Sequence, residues 1–186
     1  MSFSKLRSYL STKATFTPTD LNAVEKVCVY RSLAAGEKLV VPGDLWQYNA
    51  FVASGLAREY LIDVWGNEKT ILFAPENHWT GDRESSLTGN PATLFVEAIV
   101  PTDFVLIQRD DFEKLCVSLA PFSDFMDNLI QRNINARAKH LQNQLLTDEQ
   151  KIEAFKAKYP TVGHRAPLHI IATYLEMDEA TLKKYF

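Results

Sequence analysis

Short runs of β-branched, aromatic and aliphatic residues, each four to seven long, fill the middle of the chain. They are Cys28–Leu33, Lys38–Val41, Tyr48–Ala53, Leu56–Ile62, Lys69–Phe73, Leu94–Val100 and Phe104–Ile107. Seven short strands at this spacing predict a β-sandwich or barrel. Glycine punctuates the same stretch, six of the seven falling between Gly36 and Gly89. Ser54-Gly55 and Trp65-Gly66-Asn67 lie between adjacent runs, where glycine or asparagine takes the positive φ of a tight hairpin. Both are expected to join paired strands.

Helical periodicity brackets this region. Phe3, Leu6, Tyr9 and Leu10 form a first stripe, and Thr17 or Thr19 is placed to cap a second segment carrying Leu21, Val24 and Val27. After Pro121 the apolar positions recur at Phe122, Phe125, Met126, Leu129, Ile130, Ile134, Leu141 and Leu145, a period of 3.6. A helix from Pro121 to Leu146 would be roughly 40 Å long, more than a small β-unit needs for its own cover. Its surplus face needs another partner. Leu146-Thr147-Asp148 breaks the pattern, and Thr147 can cap a helix carrying Ile152, Phe155 and Tyr159 that Pro160 and Gly163 end. Two short segments follow, one with Leu168, Ile171, Ala172 and Leu175, the other with Leu182 and Phe186 inward. Joined at Glu176-Met177-Asp178, they have the outline of a helix-turn-helix.

At 186 residues, 46% apolar and net charge −3, the chain is long and apolar enough to bury a core, so intrinsic disorder is excluded. Met1–Ser11 has no secretory apolar region and no run reaches the length of a membrane span, so a cytoplasmic protein without membrane partners is expected. No stretch is strongly basic, and any nucleic-acid contact must come from a local surface. Cys28 and Cys116, far apart, form neither a disulfide framework nor a metal motif.

The glycine-punctuated β-unit, long apolar helix and terminal helix pair, in that order, resemble the Crp/Fnr family of bacterial transcription regulators, most closely the Bacteroidetes-type branch. The local marks are Ala35-Gly36-Glu37-Lys38, Val52-Ala53-Ser54-Gly55-Leu56, Leu87-Thr88-Gly89-Asn90, Phe95-Val96-Glu97-Ala98 and Ile171-Ala172-Thr173-Tyr174-Leu175. The resemblance implies an α+β protein with three parts. Residues 1–119 form a double-stranded β-helix (jelly roll), a cyclic nucleotide-binding-like sensor with N-terminal helices. Residues 120–146 form a long helix that makes a homodimer. Residues 147–186 form a truncated all-α helix-turn-helix domain.

Cyclic-nucleotide sensors of this family carry Gly-Glu at the start of a phosphate cassette and Arg-Ser or Arg-Thr at its end. Here the corresponding residues are Gly81-Asp82 and Ala92-Thr93. A buried cyclic phosphate is a desolvated anion that calls for a guanidinium, and the arginine position reads Ala92. Cyclic AMP is not expected to bind through the usual cassette. Arg83, next door, is either a substitute or a surface arginine. The effector candidates are thus Phe73, Trp79, Gly81, Asp82, Arg83, Ala92, Thr93 and Phe95, with Leu87 and Leu94 beside them. These apolar groups either fill the roll or line a pocket for an uncharged or cationic effector, which is unidentified. Glu97 faces either the pocket or solvent. No cofactor, metal site or enzymatic activity is expected: the cysteines are too few for an iron–sulfur cluster, and three of the four histidines, His140, His164 and His169, lie in the helical part, leaving only His78 in the β-region.

At the DNA-reading end, the family pattern puts Glu179, Thr181, Lys183 and Lys184 on the exposed side of the last helix. Three departures stand out. Glu176 replaces the turn glycine, Glu179 occupies the first reading position, and with Phe186 the last residue the C-terminal wing is missing. Arg132, Arg137 and Lys139 form a local basic segment on the long helix, either solvated or paired with an acidic surface or a DNA backbone. Three readings stay open: a DNA-binding regulator, a ligand-binding or interaction module with a vestigial helix-turn-helix, or a cyclic-nucleotide sensor using a rearranged cassette.

Overall fold

Two helices, α1 (Ser2–Ser11) and α2 (Pro18–Lys26), lead into the strands β1 (Cys28–Leu33), β2 (Lys38–Val40), β3 (Tyr48–Ser54), β4 (Leu56–Ile62), β5 (Glu68–Pro75) and β6 (Trp79–Thr80). The helix α3 (Arg83–Thr88) precedes β7 (Phe95–Ala98) and β8 (Thr102–Gln108). Five helices complete the chain: α4 (Arg109–Ser118), α5 (Ala120–Asn143), α6 (Asp148–Lys158), α7 (Leu168–Leu175) and α8 (Glu179–Leu182). The structure is a computed structural model and describes residues 2–186. It is an α+β fold whose strands form two four-stranded antiparallel sheets, β1-β8-β3-β6 and β2-β7-β4-β5.

The apolar runs are long because several strands are covered on both faces. On β3, Ala50 and Val52 enter the core between the sheets, while Phe51 and Ala53 face α1, α2, α4 and the start of α5. On β8, Phe104 and Leu106 take the first direction, Val105 and Ile107 the second. This is the period-2 alternation of a strand with no wet side. The helical cover includes the whole predicted first stripe, with Phe3, Leu6, Tyr9 and Leu10 all buried. Thr17 is the cap of α2, in a reciprocal box with Asp20.

One of the two expected hairpins forms. β4 and β5 pair antiparallel around the Trp65-Gly66 turn. Ser54-Gly55 is not a hairpin: β3 pairs with β8 and β6, β4 with β5 and β7, so Gly55 carries the chain from one sheet to the other. Gly55 has φ 98°, and a Cβ there would lie 2.5 Å from the Pro101 carbonyl oxygen and from Thr102 Oγ1. The positive φ was legible in the residue type, but the pairing partner was not. The long helix runs from Ala120 to Asn143, 24 residues, and ends slightly before the expected Leu146.

The last three helices share a core with the β-unit. Leu56 and Phe73 bury their side chains among Ile152, Phe155, Tyr159, Ile171, Tyr174 and Leu182. Helix α7 is apolar nearly all round because it lies between α6, α8 and the edge strand β5. At that edge the Phe73 N–H donates to Tyr159 Oη at 3.4 Å, and the Thr70 and Thr173 hydroxyls lie 2.7 Å apart. Edge strands otherwise offer free backbone groups, and this one is sheathed. Helix α8 is a single turn of four residues. Leu182 is buried as expected, whereas Phe186 is half-exposed over Phe155 and Gly163.

Candidate functional site

A cleft of about 810 Å³ opens between the β-unit and the long helix. Its floor comes from Glu59 on β4, Ile71 and Leu72 on β5, and Trp79 to Gly81. Helix α3 contributes Arg83, Ser86 and Leu87. Across it stand Met126, Leu129, Ile130 and Arg137 of α5. Such a volume matches a small-molecule site, and its walls are mainly apolar with a few polar groups.

Of the residues singled out in the sequence, Trp79, Gly81 and Arg83 line this cleft, together with Leu87. The others lie elsewhere. Phe73 is in the core shared with the C-terminal helices. Ala92 is packed in the core between the sheets. Phe95 stacks on Tyr60 with centroids 4.7 Å apart, on the outer face of its sheet. Glu97 shares that outer face, where the Arg58 guanidinium reaches both Glu97 and Glu68 at 2.6 Å and lies over the Tyr60 ring. A buried guanidinium needs such pairing. His78 is exposed on the turn before Trp79.

Asp82 closes the cassette on itself. It caps α3 by accepting from the Ser85 N–H at 3.0 Å, and it also accepts from the Thr93 N–H at 2.7 Å and the Thr93 hydroxyl at 3.3 Å. The Thr93 N–H and hydroxyl at the end of the cassette region are engaged here by the chain's own carboxylate. Burial opposes its ionisation, but the N–H groups of Ser85, Thr93 and Leu94 and the Thr93 hydroxyl outweigh that and hold the carboxyl below its usual range. Gly81 before it has φ 131°, and a Cβ there would meet Trp46 Nε1 at 2.6 Å. The indole fills the space that any side chain would need.

Replacing Asp82 by alanine is expected to lower stability by about 1–2 kcal/mol, the worth of a cap with a further partner. Because the folded-state carboxyl is depressed, its contribution is complete above its unfolded value near about pH 4 and fades as pH falls through the folded value. Urea midpoints of wild type and D82N should therefore differ most at neutral pH and converge in acid.

Sequence reasoning missed Glu59. On β4 the alternation sends Arg58 and Tyr60 outward and Ala57 and Glu59 inward, and Glu59 emerges where the sheets part to form the cleft floor. The one carboxylate of the strand, next to Arg58 among apolar residues, was the available signal. Glu59 is 5% exposed, and its Oε1 accepts from the Thr80 hydroxyl at 2.9 Å. Burial pushes its carboxyl up, against the Thr80 hydroxyl, the charge of Arg137 and the Gly81 N–H. Among the described residues no group of three or more His, Cys, Asp or Glu converges to hold a metal ion.

The stripe of α5 divides along its length. Phe122 and Phe125 are buried against the β-unit, and Met126, Leu129 and Ile130 sit half-buried at the cleft. Beyond them Ile134 and Leu141, also at the cleft, are 55% and 70% exposed, and Leu145, expected on the stripe, lies past the end of α5 and is 88% exposed. Exposed apolar residues grouped in this way mark an interaction surface.

In the terminal helix pair, Glu176 holds the left-handed conformation expected at the turn, with φ 53°. Asp178 caps α8, accepting from the Thr181 N–H and hydroxyl at 2.8 and 2.6 Å. Lys183 pairs with Glu179 at 3.1 Å, while Lys184 is exposed with no ion pair among the described residues. Among the described residues no helix is long and apolar enough to cross a membrane.

No protein-family model and no curated protein matches this sequence. Solved structures do match it in fold. FixK2 from Bradyrhizobium japonicum is 16% identical with a TM-score of 0.72, over 85% of this chain and 82% of its own. The c-di-GMP-responsive global regulator CLP of Xanthomonas campestris is 10% identical with a TM-score of 0.70, over 90% of this chain and 89% of its own. A cyclic nucleotide-binding domain from Methylobacillus flagellatus is 15% identical with a TM-score of 0.66, over 78% of this chain and 85% of its own. At such identities the shared feature is the fold, which is like that of cyclic nucleotide-binding domains.

Proposed function

We propose that this chain is a Crp/Fnr-type transcription regulator, dimeric through α5, whose jelly-roll unit senses an effector in the cleft without the cyclic-nucleotide cassette. The carrying observation is the exposed pair Ile134 and Leu141 at the cleft side of α5, with Leu145 just past the helix end, placed between a sensor-like β-unit and a terminal helix pair. A helix that turns its first half to its own core and its second half to solvent fits a symmetric partner. Ala92 in the core and Asp82 bonded to its own segment support the exclusion of a cyclic phosphate.

In the test, light scattering reads the oligomeric state and fluorescence anisotropy reads duplex binding. The wild type is expected to be a dimer, and I134E with L141E a monomer that keeps its thermal midpoint within a few degrees. The dimer should bind random duplex at low salt and lose it steeply as salt rises, since affinity rests on displaced counterions. Replacing Lys183 and Lys184 by alanine should abolish it. A dimer that binds no duplex at low salt overturns the regulator reading. One observation favours the second reading, an interaction module with a vestigial helix pair: Glu179 engages Lys183, leaving Lys184 as the one unpaired base of the Glu179–Phe186 end. Specific binding to a palindromic site would remove it.

A further inference from the structure

The floor of the cleft is acidic and its walls are apolar. Glu59 is almost wholly buried there, oriented by the Thr80 hydroxyl, and Asp82 adds a second negative charge nearby. The cations around the cleft are mostly occupied or at its edge. Arg109 is held by Asp110 and by the Ser86 carbonyl, and Lys158 donates to Tyr174 Oη at 3.2 Å and lies over the Tyr159 ring. Arg83 and Arg137 are exposed and make no ion pair among the described residues. An anion driven to the floor would meet a buried carboxylate, and an uncharged apolar ligand would bring no charge to offset it.

We propose that the cleft takes a primary amine carried on an alkyl or aryl body, its ammonium seated against Glu59 and its body against Leu72, Trp79, Met126 and Ile130. The proposal rests on the effector-sensor reading above and names the class of effector. The ammonium adds a contact charge and further donors to the Thr80 hydroxyl, the Gly81 N–H and the Arg137 charge that already act on the buried carboxylate, and a charge-assisted bond is stronger than a neutral one. Binding should weaken as pH falls, because the carboxyl that receives the ammonium is raised by burial and becomes protonated first. The groups facing Glu59 are Asp82 at the cap of α3, Arg137 on α5 and Tyr159 at the C-terminal cap of α6, with His140 and Lys158 also lining the cleft.

Calorimetric titration of the full chain with 2-phenylethylamine, 2-phenylethanol and 3-phenylpropionate, which share one aryl body, tests this. The amine is expected to bind at least about tenfold tighter than the alcohol, with the carboxylate weakest. E59Q keeps an acceptor for Thr80 and should reduce the amine to the affinity of the alcohol, with dimerisation and thermal midpoint unchanged. Equal affinities for all three probes overturn the role of Glu59 while leaving an effector cleft in place. A preference for the carboxylate that R137Q removes overturns the proposal in favour of an anionic effector. Failure of all three to bind also overturns it, and the duplex titration still decides the regulator reading on its own.

Discussion

A Gly55→Ala variant is expected to lose roughly 2–4 kcal/mol of stability, among the largest effects of any single methyl group in the molecule. Two costs add at this position. The residue sits at φ 98°, where a Cβ is strained, and that Cβ would lie 2.5–2.6 Å from the backbone of Pro101 and Thr102 and from Thr102 Oγ1. Backbone cannot swing aside as the end of a long side chain does. The crossing is also tied by hydrogen bonds: the Gly55 N–H donates to Glu76 Oε1 at 3.0 Å, the Leu56 N–H to Thr102 Oγ1 at 3.1 Å. Moving the chain to relieve the overlap loosens both. Urea unfolding at neutral pH reads the loss, and Gly66→Ala is the control. Gly66 also has positive φ, 86°, but no atom lies within 4 Å of the added carbon, so it should lose only about 1 kcal/mol. Equal losses in the two variants would show that strain in φ alone governs both turns.

Gly55 also marks how far a sequence can be read. Its residue type announced positive φ, and the two flanking apolar runs announced strands. Whether those strands pair depends on β8, some fifty residues away, which takes the place beside β3 that a hairpin would have given β4. Local chemistry carries no record of that competition. The elements with strong periodicity or caps were legible: α1, α2 with Thr17, the start and stripe of α5, α6 with Thr147, and the left-handed Glu176. Strand β6 is two residues long and α4 buries just Phe112 and Leu115, with Cys116 partly buried beside them, so neither leaves a clear pattern. The candidate site was legible in part. Trp79, Gly81 and Arg83 reached the cleft because the cassette region is local, whereas Glu59 and Arg137 meet there only through packing of α5 across the sheets. Phe73 sat in a run that marked it as core without saying which core.

Phe73→Ala is expected to cost about 3–5 kcal/mol and to loosen the C-terminal helices more than the β-unit. The ring is fully buried at the centre of an aromatic cluster, 5.8 Å from Phe155, 5.5 Å from Tyr159 and 5.3 Å from Tyr174. Most of the apolar neighbours it touches belong to α6 and α7, so the cavity left by truncation falls between the units and not within the sheets. Leu56 keeps an apolar contact across that seam, with Ile99 and Val100 packed against the same cluster. The other ties include the Phe73 N–H bond to Tyr159 Oη, the Arg165–Glu76 pair at 2.8 and 2.9 Å, the Thr70–Thr173 contact and the exposed Lys69–Glu176 pair. Exposed or half-exposed ion pairs contribute little, on the order of 1 kcal/mol or less each, and cannot hold the seam once the ring is gone. Hydrogen exchange should then show lost protection in α6, α7 and α8 while β3 and β8 keep theirs, and Phe73→Leu should lose a fraction of that. Uniform loss across both units would mean that they unfold as one body, and a signal from the cleft could then reach the terminal helices only by moving the whole chain.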